Sequence, residues 1–376
     1  MSQRFLSLQT HLRDIGLLGE KAVYFGAPDE LLLHSGGPQS HLAQFSMLCG
    51  PSRKRVLVRQ PNQRNVSPAE QHSPLKGEVR LMKEKLPFVA QVEEWKHGCW
   101  YHSTSIFATS LPELLEKLRP LTPTELFKST PDSSLPQGPF WAGALAYDMV
   151  QWTRPLQFQY VPDEGELLTL LWLVERMIIH EKATDLVRCH TLQGDNWDEE
   201  TSQYTEYVSV VPTFAEPPRS PETSSMTDEQ HEQAIEAIRE SIRAGQMYQV
   251  NVGRWWDGKL LEHPRQIFQR LNETNPAPFS AYLEAPDLSF SLVCSSPESL
   301  LRCDGKSVFT SPIKGTRPRG SNPEQEKDLR NEMINDEKER SEHRMLVDLM
   351  RNDISMISEV GSVQVERFDV EAYAQV

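Results

Sequence analysis

The sequence predicts a soluble globular chain that mixes β-strands and α-helices. Three observations carry this. Short apolar or β-branched runs bounded by turns fill the first half of the chain. A well-capped helix follows a polar stretch in the middle. A hairpin signal, Asp304-Gly305, then precedes a long charged helical region.

The bulk numbers narrow the class. The chain has 376 residues, 38% hydrophobic and 24% charged, with a formal net charge of −14. That length is enough for one large domain or two ordinary ones. The acidic balance argues against nucleic-acid binding and against an anionic membrane surface. An anionic substrate would then need a local cation cluster or a metal. No stretch approaches the apolar length of a spanning helix, and the start, MSQRFLSLQTHLRD, lacks the apolar core of a secretory signal. The five cysteines form no CxxC pair and are odd in number, which disfavours a disulfide framework and fits a cytoplasmic protein.

Taken in order, Lys54–Val58 (KRVLV) reads as a strand, and Leu167–Ile179 is an almost wholly apolar run. Pro212–Ser225 (PTFAEPPRSPETSS) reads as a linker or surface loop. Thr227 and Gln230 form a capping-box pattern, Ala234, Ile235, Ile238 and Ile242 recur at helical spacing, and Gly245 closes the helix. Tyr248–Val252 (YQVNV) alternates like a strand. Leu288–Val293, Ser299–Cys303 and Lys306–Thr310 read as strands, the last two joined by a two-residue Asp304-Gly305 turn. That register sets Glu298 opposite Ser311 and puts Lys314 ~10 Å further along the ladder. Asn322-Pro323 caps a charged helical region that runs to about Met350 with a break near Asn335.

The chemistry concentrates in this last third. SPIKGTRPRG (Ser311–Gly320) gathers Lys314, Arg317 and Arg319 on a Pro/Gly loop. Lys314 reads either as a surface lysine or as a nucleophilic amine. The second reading requires a pKa lowered by about 3 units, roughly 4 kcal/mol, which would have to come from desolvation and from Arg317, Arg319 or a metal nearby. Those same cations would attract an anionic substrate. Glu339 and Glu342 fall beside the apolar stripe of Met345, Leu346 and Leu349. They read either as partners of Lys338, Arg340 or Arg344, or as oxygen ligands for a hard cation such as Mg²⁺. Glu298, in SSPESLL, is either an exposed carboxylate or a general acid.

Several segments together resemble the chorismate-binding enzymes, which include anthranilate synthase component I, aminodeoxychorismate synthase component I and the isochorismate and salicylate synthases. They are GQMYQVNV (Gly245–Val252), NPAPFSAYL (Asn275–Leu283), SSPESLL (Ser295–Leu301), SPIKGTRPRG and ERSEHRMLVDLMRND (Glu339–Asp353), continuing into SVQVERFDVEAY. The amino-terminal half resembles the family's accessory region through LLLHSGGPQSHLAQFSMLCG and WAGALAYDMV, with His34 where the family's effector segment often has glutamate. The resemblance implies an α+β fold of two stacked antiparallel β-sheets flanked by helices, four layers ordered α/β/β/α, with the halves intertwined. It divides the chain into an accessory region at 1–190, a linker at 191–226 and a catalytic region at 227–376.

Within the family, Lys314 in Pro-Ile-Lys-Gly-Thr resembles the lysine-type aminodeoxychorismate synthases. Gln249 stands where isochorismate and salicylate synthases carry a lysine base. The resemblance implies Lys314 as nucleophile, Glu298 as acid, Gln249, Thr316 and Arg317 as substrate-binding positions, and Glu342 with Glu339 as Mg²⁺ ligands. It implies chorismate as substrate and a separate glutamine amidotransferase subunit as ammonia source, since no cysteine here sits in a Gly-rich nucleophile elbow. Two other readings are an anthranilate synthase component I and a non-catalytic chain that only binds the amidotransferase. The family pattern continues past VEAYAQV with a Gly-rich substrate loop and a second metal-binding glutamate, so the resemblance implies a C-terminally truncated chain.

Overall fold

The computed structural model describes residues 29–37, 42–50, 52–61, 87–128, 135–153, 161–184, 186–197 and 221–366. Strands β1 (Glu30–His34), β2 (Phe45–Cys49), β3 (Lys54–Arg59), β4 (Phe88–Lys96) and β5 (Cys99–Ala108) lead to helix α1 (Leu111–Leu118). Then come β6 (Phe140–Leu145), β7 (Leu167–Val174), β8 (Arg176–Glu181) and β9 (Leu186–Thr191). The later part holds β10 (Glu222–Ser224), α2 (Asp228–Arg243), β11 (Trp256–Gly258), α3 (Pro264–Thr274), β12 (Phe279–Ala285) and β13 (Phe290–Ser296). A short hairpin, β14 (Arg302–Cys303) and β15 (Val308–Phe309), precedes α4 (Pro323–Asn335) and α5 (Glu337–Ser355).

Two antiparallel sheets stack face to face. One runs β13–β12–β1–β2–β8–β9 and the other β5–β4–β3–β7–β6. Because strand side chains alternate, each strand feeds two layers. Leu31, Met177, Ile179 and Leu283 of the six-stranded sheet meet Leu57, Leu170, Trp172 and Val174 of the five-stranded sheet in a shared core. The outer face of the five-stranded sheet packs Val56, Val58 and Phe88 on Leu114 and Leu118 of α1 and on Trp152. The outer face of the six-stranded sheet packs Leu32, Ile178 and Tyr282 on Phe268 of α3. The layers are therefore α/β/β/α. β12, from the later part of the chain, pairs with β1 from the earlier part (Leu31 opposite Leu283), so the halves are intertwined.

The apolar run Leu167–Ile179 is two strands, one in each sheet, with the crossing at Glu175. Apart from Thr169 and the crossing residues Glu175 and Arg176 it is apolar, because most of both strands is covered on both faces. In WAGALAY, β6 lies tight on β7: a Cβ on Gly143 would come within 2.0 Å of the Leu170 carbonyl oxygen, so only glycine fits.

A buried ion cluster ties the layers together. Arg55, 1% exposed, donates to Asp29 (2.9 Å), Glu93 (2.7 Å) and Asp287. Trp172 and Trp100 also donate to Asp29, at 2.7 and 3.2 Å. Burial pushes the Asp29 carboxyl above the ordinary carboxylate range while the Arg55 charge opposes that shift.

Outside this body, α2 begins at the expected capping box: Thr227 N–H donates to Gln230 at 2.8 Å and Gln230 N–H to Thr227 at 3.2 Å. YQVNV, expected as a strand, is irregular and pairs with no strand among the described residues; the ladder starts later, at Trp256, opposite Ser224. Glu222–Ser224, expected within the linker, forms the other half of that ladder, and 198–220 lie outside the described residues. No helix among the described residues is long and apolar enough to cross a membrane.

Candidate active site

The hairpin before Lys314 turns differently from the expected two-residue link. β14 and β15 pair Arg302 with Phe309 and Cys303 with Val308, so the turn spans 304–307. Asp304 is the cause. Its carboxylate accepts from the backbone N–H of Lys306 at 2.9 Å and of Ser307 at 2.7 Å, which closes a wider loop over Gly305. The register moves by two residues and brings Glu298 level with Ile313 rather than Ser311. The Ile313 N–H donates to Glu298 Oε1 at 3.0 Å. Glu298 is exposed and sits one residue from the loop position of Lys314.

The loop then runs along α4 and α5. Lys314 Nζ lies 3.1 Å from Glu342 Oε2, with both side chains about one-third exposed. Gly315 has a positive φ, and a Cβ there would stand 3.1 Å from Glu339 Oε2, so the backbone is pressed against that carboxylate. Thr316 is exposed and its carbonyl accepts from Arg317. Arg317 donates to Glu332 at 2.9 Å, Asp336 at 3.0 Å and Glu339 at 3.4 Å. Arg319 donates to Glu326 at 2.7 Å. All three cations of the loop thus face carboxylates of α4, α5 or the junction between them. Asp336 does double duty there, since its Oδ1 also caps α5 by accepting from Lys338 and Glu339 N–H. Those contacts hold Asp336 below the ordinary carboxylate range, the Glu339 N–H first among them.

The structure therefore brings together Lys314, Glu298, Arg317, Glu339 and Glu342. Lys314, Thr316, Arg317 and Glu339 line a broad cleft that also includes His34 and Phe45 of the six-stranded sheet. Gln249, Glu298 and Glu342 are not among its lining residues; Gln249 lies half-buried in the irregular 248–252 segment. Glu332, Asp336 and Glu326 had not been singled out from the sequence, although Glu332, Asp336 and Glu339 recur at helical spacing.

Among the described residues, no group of three or more His, Cys, Asp or Glu side chains is placed to hold a metal ion. Glu339 and Glu342 nevertheless supply oxygen donors one turn apart on the half-buried side of α5. They are donors of the kind a hard cation takes, and each is paired here with a loop cation, Glu342 with Lys314 and Glu339 with Arg317.

A family profile described as chorismate binding enzyme matches residues 90–376. The chain belongs to the chorismate-binding enzyme family. It is 42% identical over 176 residues to aminodeoxychorismate synthase component 1 of Bacillus subtilis, covering 45% of this chain and 37% of that protein. It is 32% identical over 267 residues to anthranilate synthase component 1 of Aquifex aeolicus, covering 65% and 53%. It thus spans between about a third and a half of the length of these relatives. The crystal structure of anthranilate synthase component I from Streptococcus pneumoniae superposes with a TM-score of 0.57 at 22% identity, covering 84% of this chain and 74% of that one, which supports the fold.

Proposed function

We propose that the chain is the chorismate-aminating component of an aminodeoxychorismate synthase, acting in the cytoplasm on the route to p-aminobenzoate and folate. One observation carries this reading: Lys314, in its Pro-Ile-Lys-Gly-Thr setting, is held between Glu342 and the residue that hydrogen-bonds Glu298. The Bacillus subtilis relative bearing that name supports it.

The Lys314 amine bonds to ring C2 as the C4 hydroxyl departs. Glu298 protonates that oxygen, which leaves as water. Its Oε1 is engaged by the Ile313 N–H, which leaves Oε2 as the oxygen through which a proton would pass. Ammonia then bonds to C4, the C2–N bond to Lys314 breaks, and the surplus proton returns to Glu298. The products are 4-amino-4-deoxychorismate and water. Dividing one displacement into two lowers each barrier. Glu342 and Glu339 would hold Mg²⁺, which when bound clamps the ring carboxylate and screens its charge. A separate glutamine amidotransferase subunit would supply the ammonia.

Anthranilate synthase component I is the second reading, favoured by relatives such as those of Aquifex aeolicus and Thermus thermophilus that carry that name. Incubation with chorismate, Mg²⁺ and ammonium, followed by the lyase that releases p-aminobenzoate, separates the two. We expect p-aminobenzoate, a Lys314 adduct in the intact mass, and a loss of at least about 10³-fold in Lys314→Met. Anthranilate fluorescence without added lyase would overturn the first reading in favour of the second.

A further inference from the structure

We infer that Arg317 is a positioning residue that sets Lys314 in place rather than a contact for substrate; its catalytic consequence rests on the amination reading above. A guanidinium has five N–H donors. Here Nε points to Glu332, Nη1 to both Glu339 and the Thr316 carbonyl, and Nη2 to Asp336. Four donors are committed, and the one left cannot make the two-pronged contact by which arginine grips a substrate carboxylate. The three acceptors lie on three structural parts: Glu332 on α4, Asp336 at the break between the helices, and Glu339 in the first turn of α5. Arg317 therefore pins the loop to both helices at their junction. Without it, three carboxylates face one another.

Spacing links this clamp to the amine. The loop runs antiparallel to α5, with Arg317 on Glu339 and, three residues earlier, Lys314 on Glu342, three residues later. The close approach of Gly315 to Glu339 fills the interval. Releasing Arg317 leaves the Lys314–Glu342 pair to hold this part of the loop alone, and a pair exposed to about a third holds long side chains weakly.

The test compares the full chain with Arg317→Gln and Arg317→Lys, and with Glu332→Gln as a milder variant that keeps the α5 cap. Two readouts are needed. One is the rate at which an amine-acylating reagent labels Lys314, followed by peptide mass spectrometry; the other is kcat and KM for chorismate. In Arg317→Gln, labelling should rise by about fivefold and kcat fall by about tenfold or more while KM stays within about twofold. Glu332→Gln should move both readouts the same way by less, and lysine at 317 should not rescue, because it restores the charge without the fork. Unchanged labelling overturns the proposal. So does a tenfold rise in KM with kcat preserved, or full rescue by lysine. A wild-type chain that forms no aminated product would reject the reaction assigned above, while the labelling ratio would still decide the position of Lys314.

Discussion

Between the two sheets, Trp172, Met177 and Leu283 are no more than 2% exposed, whereas no residue in 297–366, the segment holding Glu298, Lys314 and Glu342, is fully buried. The sheets cohere by removing apolar area from water, at ~25 cal/mol per Å². That segment is tied down by charge: Lys314–Glu342, Arg317 with its three carboxylates, and Arg319–Glu326. Exposed ion pairs contribute roughly 0–1 kcal/mol each and weaken with salt. The contrast teaches that the proposed chemistry sits at the low-stability end of the molecule, where local opening precedes global unfolding.

The largest effect that would sharpen this contrast is at Arg55. Arg55→Leu strands Asp29 as an uncompensated buried acid and should cost about 3–5 kcal/mol in urea unfolding followed by tryptophan fluorescence. A loss under about 1 kcal/mol would show the sheets to be far less tightly locked than their burial implies. Ile179→Ala, in the shared core, should cost about 2–5 kcal/mol in the same assay.

The third expectation concerns pH. Burial, followed by the charges of Lys182 and His180, lowers His34 from 6.5 to about 4, and its Nδ1 lies 3.3 Å from the Ser46 hydroxyl. The unfolded chain then binds the proton first. Stability is complete above pH 6.5 and declines as pH falls toward 4, by at most about 3 kcal/mol given partial exposure. His34→Asn should flatten the urea midpoint across that window; an unchanged slope would remove His34 from the account. The smallest effect is on α2. Ile235 is 36% exposed, so Ile235→Ala should change stability by no more than about 0.5 kcal/mol. A loss comparable to that of Ile179→Ala would erase the distinction between the two regions.

Local signals were legible and long-range ones were not. The Thr227 capping box, the Asn322 cap and the helix break near Asn335 each depend on residues a few positions apart, and all three stand in the structure. Strand KRVLV was equally readable because its apolar residues are covered on both faces. The hairpin register was misjudged because Asp-Gly favours a two-residue turn, while the Asp304 side chain captures two backbone amides and widens it. The alternation in YQVNV suggested a strand, yet alternation supplies no partner, and none lies beside it among the described residues. At the site, Lys314, Glu298 and Glu342 stood out by residue type and motif. That Arg317 spends its donors on α4 and α5 did not, since its partners lie 15 to 22 positions away and only the fold brings them near.

The direct passage of the chain from β7 to β8 through the single residue Glu175 has a mechanical meaning. β7 and β8 belong to different layers yet share a backbone, so neither layer can slide over the other without tearing hydrogen bonds in both. Adding a single amino acid at that step would swap inside for outside along all of β8, sending Ile178 toward the wrong neighbour and Ile179 with it. A loop elsewhere tolerates lengthening; this joint fixes the phase of everything threaded after it.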